Sequence, residues 1–410
     1  MAQHFVTGVD IGSQNVKAAI AEVKKEGQLA LRKIIKMPSA GVRKGVVDDA
    51  SDTTRAVSQL IGEIKKFDRN AVKNIFLSVG SSDVKIHSSK GIVAVSRADS
   101  EIQKDDIERA IEASQAIKLP RNRMVIHSMT KEFVVDDIGD IRDPAGMIGN
   151  RLEVNSIIID AFEPNIKALT RCVETSGGSV AGLIFGPLAA ARSVLSKSQK
   201  ELGVALIDVG FGKTGFAVYE EGKLLHAAVF PFGSGNITND LAIGLKTSIH
   251  AAENIKLALG LAIAKEAPSR EMVDLKKFDV SSKRTVARRF IAQVIEDRLA
   301  EIFQFVDNEL DRIGKSVKLP AGVVITGGGS KIPMIVDLAK DELKLSAQIG
   351  IADLSVFELS DPGFTEQAED PEFTSVFGLL LWGGDRFETQ EFGVGFGKEF
   401  FRKFFKNFIP

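Results

Sequence analysis

Apolar and polar positions along the chain fall into short blocks whose period changes from segment to segment. In "FVTGVDIGSQNVKAAIAEV" (5–23) an apolar run ends in Asp-Ile-Gly, a polar turn follows, and apolar residues resume with partial alternation. That pattern predicts two strands joined by a tight turn. About two hundred residues later "GVALIDVGFGKTGFAVYEEG" (203–222) repeats it, with Asp-Val-Gly in the same place. A third block, "AGVVITGGGSKIPMIVDLAKDEL" (321–343), runs from an apolar strand into Thr-Gly-Gly-Gly-Ser and then into helical spacing. Segment 100–117 carries the spacing of an amphipathic helix, and 274–299 is rich in Lys and Arg and ends in a strong helix pattern. Strands alternating with helices predict an α/β fold, and the duplication predicts two related lobes that face one ligand.

The turn residues narrow the ligand. Glycines let a turn bring backbone N–H groups close to an anion. An aspartate at a strand end cannot itself bind phosphate, but it can hold a hydrated cation that does. A single Asp-x-Gly is also ordinary turn chemistry, so the weight lies on the matched pair. "FGKTG" imitates the end of a Walker loop, yet position 207 is Ile where that loop needs glycine, and strand-like alternation follows Thr214.

Composition adds mainly exclusions. A formal net charge of -1 over 410 residues argues against bulk nucleic-acid binding. Cys172 is the single cysteine, so neither an internal disulfide nor a cysteine zinc site is expected, which suits a reducing compartment. The five histidines show no metal-ligand spacing. The start "MAQHFVTGVDIG" has no signal-peptide pattern, and apolar stretches such as 257–264 and 376–382 are too short to span a bilayer.

Asp-Ile-Gly-Ser (10–13), Asp-Val-Gly-x-Gly-x-Thr (208–214) and Thr-Gly-Gly-Gly-Ser (326–330) resemble, in order, the two phosphate motifs and the adenosine motif of the actin-like ATPase superfamily. Within it the chain is most similar, nearly end to end, to the FtsA family of bacterial cell-division proteins. The stretches that carry this are 230–260, "IEDRLAEIF" (295–303), "SVFGLLLWG" (375–383), and the segment holding "GIVAVS" and "DPAGMIGNRLEV". The resemblance implies an actin-like two-lobed ATPase fold with an inserted extra subdomain and a C-terminal amphipathic helix. The implied limits are 1–82 with 164–197 and 198–228 with 315–382 for the lobe cores, and 83–163 for the insertion. Residues 229–314 would form the nucleotide-side and FtsZ-binding subdomain, 383–395 a flexible linker, and 396–410 the membrane-targeting helix.

The resemblance also implies a site for ATP and Mg²⁺. Gly12, Ser13, Gln14, Asn15 and Lys17 would face the β- and γ-phosphates, and Asp10 and Asp208 would hold the water shell of Mg²⁺. Gly210, Gly212, Lys213 and Thr214 would form the opposing turn, with Gly235 and Asn236 beside phosphates and sugar. Glu253 and Lys256, three apart on a helix, would reach ribose and adenine, although that spacing also suits an ordinary exposed pair. Gly327, Gly328, Gly329 and Ser330 would close the other side of the base. Two departures stand out. Phe211 replaces a glycine of the second phosphate motif, so it either narrows the approach or points away. Phe185-Gly186-Pro187-Leu188 offers no side chain to orient water, so no catalytic residue is named and hydrolysis is expected to be slow or negligible.

Arg288, Arg289 and Arg298 are expected to receive the acidic C-terminal peptide of the tubulin-like FtsZ. The resemblance further implies filaments of the chain itself, contacts with other division proteins, and a place on the cytoplasmic face of the membrane at the division site. The tail supports the last point. On a helical wheel of about 100° per residue, Phe400, Phe401, Phe404, Phe405 and Phe408 share a sector, with Phe396 a turn earlier and Arg402, Lys403 and Lys406 opposite. Two other readings of the same motifs are a PilM-like pilus-assembly adaptor and a small-molecule kinase. The first would lack such a tail, and the second needs an aspartate base beside the cleft.

Overall fold

The computed structural model describes residues 4–24, 27–359 and 363–391. The two duplicated segments are antiparallel hairpins, His4–Ile11 with Asn15–Val23 and Val204–Val209 with Thr214–Glu220. Each lies at the heart of its own sheet, because a parallel strand pairs with the outer side of its first strand: Ile75–Val79 in one lobe, Val323–Thr326 in the other. The first-lobe sheet has six strands and the second-lobe sheet five. Central strands covered on both faces must be apolar throughout, and Val204–Ile207 are fully buried.

Helices form where a cap and an apolar stripe coincide. Ala50–Phe67 starts at Asp49, whose carboxylate accepts the Asp52 amide at 2.9 Å, and buries Val57, Leu60, Ile61 and Ile64 against the sheet. In the insertion, Lys104–Gln115 is shorter than the stretch expected, since residues 101 and 102 are held by backbone pairing to the loop around Met147. That helix covers one face of a four-stranded antiparallel sheet built from 85–94, 123–135, 138–141 and 151–162.

The chain re-enters the first lobe after Ala347–Ile349. Phe357–Leu359 pairs with Leu29–Leu31, and the helix Thr374–Glu391 lies on the first-lobe sheet. The second-lobe core expected to run to residue 382 therefore stops before this crossing. The linker expected from Gly383 is also displaced, because residues 383–391 continue that helix. Gly383 and Gly384 serve close packing: a Cβ on Gly383 would lie 2.2 Å from Val6 Cγ1, and one on Gly384 3.1 Å from Leu29 Cδ1. Glycine in a helix reads locally like a linker, and only the sheet beneath shows why it is there. Residues 392–395 and the tail 396–410 lie outside the described residues. Among the described residues no helix is long and apolar enough to cross a membrane.

The helix Gly186–Val194 runs between the two sheets and meets Thr374–Glu391 at Gly378, where a Cβ would lie 1.7 Å from the Ala189 carbonyl oxygen. Just before it, the Phe185 amide donates to His127 Nε2 of the inserted sheet at 2.9 Å. His127 is buried beside the Trp382 ring, and burial pushes its pKa down to about 3. The folded protein keeps this imidazole neutral, whereas the unfolded chain protonates it below about pH 6.5. A depressed folded pKa gives stability that is present above the unfolded value and lost as the pH falls towards the folded one. Between about pH 7 and pH 5 the wild-type chain should lose about 2 kcal/mol more than His127→Gln. Urea denaturation at the two pH values measures this, and equal losses would contradict it.

Candidate functional site

Both central hairpins end their first strand in a carboxylate, and both carboxylates face one cleft of about 400 Å³ between the lobes. The register Asp10↔Lys17 brings Lys17 Nζ within 3.0 Å of Asp10 Oδ2 and 2.8 Å of the Glu372 carbonyl oxygen. From the other lobe, Lys213 reaches across and donates to the Gly80 carbonyl oxygen at 2.5 Å. Gln14 Nε2 donates to Glu253 Oε1 at 3.2 Å, a second bridge over the cleft.

The electrostatics of the four charged groups are coupled. Burial opposes ionisation of Asp10, but Lys17 and then Lys213 outweigh it and hold the carboxyl below its ordinary value. Asp208 moves the other way. Its burial dominates, Asp10 adds to it, and the two lysines do not compensate. Lys213 is lowered by burial despite the pull of Asp10 and Asp208, while Lys17 is raised, its carboxylate neighbours overcoming the burial cost.

Gly12, Ser13, Asn15, Gly210 and Gly212 line the cleft together with Asp10, Gln14, Lys17, Asp208 and Lys213. Gly327, Gly328 and Gly329 line it from the end of Val323–Thr326, where a 3₁₀ turn precedes the helix Ile335–Leu343. Phe211 lies inside and not away from the site. Its ring rests on Gly235, where a Cβ would come within 2.7 Å, and Lys256 Nζ sits 5.3 Å from its centroid. Lys256 is nearly buried and is held by Glu253 Oε2 at 2.8 Å, Thr238 Oγ1 at 2.9 Å and the Ser234 carbonyl oxygen at 3.2 Å. Three expected residues use their side chains to fix loops. Thr214 Oγ1 donates to the Phe232 carbonyl oxygen, Asn236 Oδ1 accepts the Gly233 amide, and Ser330 Oγ donates to the Gly327 carbonyl oxygen.

Sequence reasoning missed Lys36, Ser78, Glu372 and Ser375, all of which line the cleft. Lys36 is the cross-strand partner of Lys17, and its ammonium lies 2.6 Å from Glu372 Oε2. Glu372 also accepts from Asn15 Nδ2 at 2.9 Å, across 357 positions of sequence. Only the register and the crossing back to the first lobe could have revealed that pair. Ser78 hydrogen-bonds Asp10 and Ser375 hydrogen-bonds Asp208, so each carboxylate has a hydroxyl beside it.

Among the described residues no group of three His, Cys, Asp or Glu could ligate a metal directly. Asp10 and Asp208 have the oxygen chemistry that suits the water shell of Mg²⁺, and the charges of Lys17 and Lys213 act on both.

The expected peptide-binding arginines are placed unequally. Arg298 makes two contacts to Asp240, at 2.6 and 3.1 Å, and Arg288 pairs with Glu271 at 2.8 Å. Arg289 forms no ion pair with the described residues and borders a shallow hollow whose lining holds Lys265 and Gln293 but also Glu296, Asp341 and Glu342.

Family models match two parts of the chain. The one described as cell division protein FtsA covers residues 205–378, and that of the SHS2 domain inserted in FtsA covers 81–160. Among curated relatives, the cell division protein FtsA of Pseudomonas aeruginosa is 34% identical over 92% of this chain and 89% of its own length. That of Bacillus subtilis is 32% identical over 95% and 85%. Among solved structures, a chain of the PilM-PilN type IV pilus biogenesis complex aligns with a TM-score of 0.66 at 18% identity, covering 92% of this chain and 98% of that one. MreB 5 of Spiroplasma citri bound to AMPPNP aligns with a TM-score of 0.56 at 15% identity, over 96% and 100%. These structural likenesses establish an actin-like fold.

The Lys256 cluster makes the site's stability testable without a ligand. Thr238→Val keeps the shape but removes one acceptor from a buried ammonium, which should cost about 1–3 kcal/mol in chemical denaturation. A loss below about 0.5 kcal/mol would show that water replaces the hydroxyl.

Proposed function

The chain belongs to the FtsA family of cell-division proteins, and from that premise we propose that it is an actin-like, ATP-binding tether that holds the FtsZ ring to the cytoplasmic face of the membrane. The observation that carries the nucleotide part is the cleft itself. Loops from both lobes meet there through Lys213, Gln14 and Glu253, and glycine turns border it on two sides. The turns meet so closely that a Cβ on Gly212 would lie 2.5 Å from Ser13 Oγ, and phosphates held beside this junction would touch both lobes at once, so ATP would fix the geometry of one lobe relative to the other. Lys17, Lys213 and the turn amides would hold the phosphates, and a magnesium ion accompanying them would rest its water shell on Asp10 and Asp208. The base would lie towards Glu253, Lys256 and the Gly327–Gly329 turn. Ser330, Asn236 and Thr214 would keep those turns in shape.

Slow hydrolysis follows from what borders the phosphate end. Gly186 and Pro187 line the cleft there and carry nothing that could orient water. The kinase reading finds no support in Glu372, the extra carboxylate of the cleft, because Asn15 and Lys36 occupy it. The pilus-adaptor reading shares only the fold with this chain.

Self-association would place many copies of the tail side by side. The last fifteen residues hold six of the chain's 26 phenylalanines and four cations against Glu399. Each cation contributes roughly 1 kcal/mol at an anionic surface, and each buried ring about 1.5–3 kcal/mol before the helix is ordered. One tail binds reversibly and an array binds by avidity. Of the three expected arginines Arg289 would be the one to meet an acidic FtsZ peptide, in competition with Glu296, Asp341 and Glu342 of the same hollow, with Arg288 and Arg298 shaping the surface around it.

Co-sedimentation with vesicles containing anionic phosphatidylglycerol tests the tether, comparing the full chain with a truncation at Gly395, with and without ATP and FtsZ. The full chain should pellet, and should carry FtsZ down with it, while the truncation stays in solution. Equal pelleting of both forms would contradict the proposal.

A further inference from the structure

The second phosphate-facing turn carries a cation that its counterpart in the first hairpin lacks. The first turn reads Ile11-Gly12-Ser13-Gln14, and the second reads Val209-Gly210-Phe211-Gly212-Lys213. Lys213 stands immediately before Thr214, whose strand pairing and hydroxyl bond fix where the lysine leaves the backbone. Its stem runs past Gly45, where a Cβ would lie 3.2 Å from Lys213 Cδ, and its ammonium crosses to Gly80 of the other lobe. The Gly80 oxygen takes one of the three donors of that ammonium. The remaining N–H groups belong to a side chain that lines the cleft beside Asp10 and Asp208.

Charge counting then decides what a divalent ion has left to do. With Lys17 alone, the two aspartates would keep one net negative charge, which a hydrated Mg²⁺ could answer while screening the phosphates. With Lys213 present, two ammonium groups stand beside the two carboxylates, so a divalent ion can accompany the phosphates but the charge of the site does not depend on it. A lysine at this point also does the two mechanical jobs of the metal, because it joins the lobes and presents positive charge where phosphate oxygens would converge.

We propose that Lys213 serves as a built-in cation for the β- and γ-phosphates, so that the cleft binds a nucleoside triphosphate without needing a divalent metal. This rests on the nucleotide reading above. Opposite charges a few ångströms apart between two protein walls interact more strongly than in bulk solvent, so a fixed ammonium can replace part of what the ion supplies. The burial that lowers the Lys213 pKa works against its charge, and a triphosphate beside it would pull the balance back.

The test is titration calorimetry of the full chain with ATPγS, once in excess magnesium and once in excess EDTA. The wild-type dissociation constant should differ between the two conditions by less than about threefold. In Lys213→Met, which keeps the length and removes the charge, the ratio should exceed about thirtyfold, and Lys213→Arg should bring it back down. Binding of the Met variant in magnesium shows that it is folded. A wild-type ratio above about thirtyfold would overturn the inference while leaving the nucleotide reading intact. Small ratios in both wild type and Lys213→Met would remove Lys213 from the role. Absence of binding under either condition would overturn the nucleotide reading and the inference with it.

Discussion

Two aspartates, one at the end of a central strand in each lobe, face the same narrow cleft, and their mutual repulsion has to be answered by cations from both sides. Lys17 answers from the first lobe and Lys213 from the second. Lys213 reaches its place only by crossing to Gly80, so neutralising the carboxylates also fastens the lobes together. Lys17 in turn draws Glu372 into the cleft through that residue's carbonyl oxygen, and Lys36 and Asn15 hold its carboxylate. Ion pairs hold the first-lobe wall, Lys17 with Asp10 and Lys36 with Glu372, and the contact across the cleft is made by Lys213 with the Gly80 carbonyl oxygen.

The charge constraint reaches beyond the cleft through the packing. Ser375, which hydrogen-bonds Asp208, stands at the start of the helix Thr374–Glu391. That helix of 18 residues spans about 27 Å and ends where the chain leads towards the tail. The inserted subdomain is also attached at two points. His127 accepts the Phe185 amide beside the interlobe helix, and Asp140 accepts from Lys223 of the second lobe at 2.5 Å. The insertion is therefore tied to both lobes, and the helix Thr374–Glu391 is tied to the cleft at its first turn.

Local features were legible in the sequence. The two hairpins, their aspartates and the three glycine turns depend on alternation and turn chemistry that neighbouring residues specify. What failed to show depends on tertiary placement. Lys36 and Glu372 enter the cleft through strand register and a late crossing between lobes. The return of residues 357–391 to the first lobe has no local mark, so sequence alone extends the second lobe to residue 382. Gly383 and Gly384 looked like a linker because close packing and flexibility call for the same residue. Arg288 and Arg298 looked available because spacing alone cannot show Glu271 or Asp240 beside them.

One ligand gripped by both lobes at once would leave its mark on amide hydrogen exchange of the full chain with and without ATP. ATP should slow exchange together in the turns 10–17 and 208–214 and in the loop 327–330, with the segments around Gly80 and Glu253 following. Protection confined to one lobe, or none in either, would contradict it.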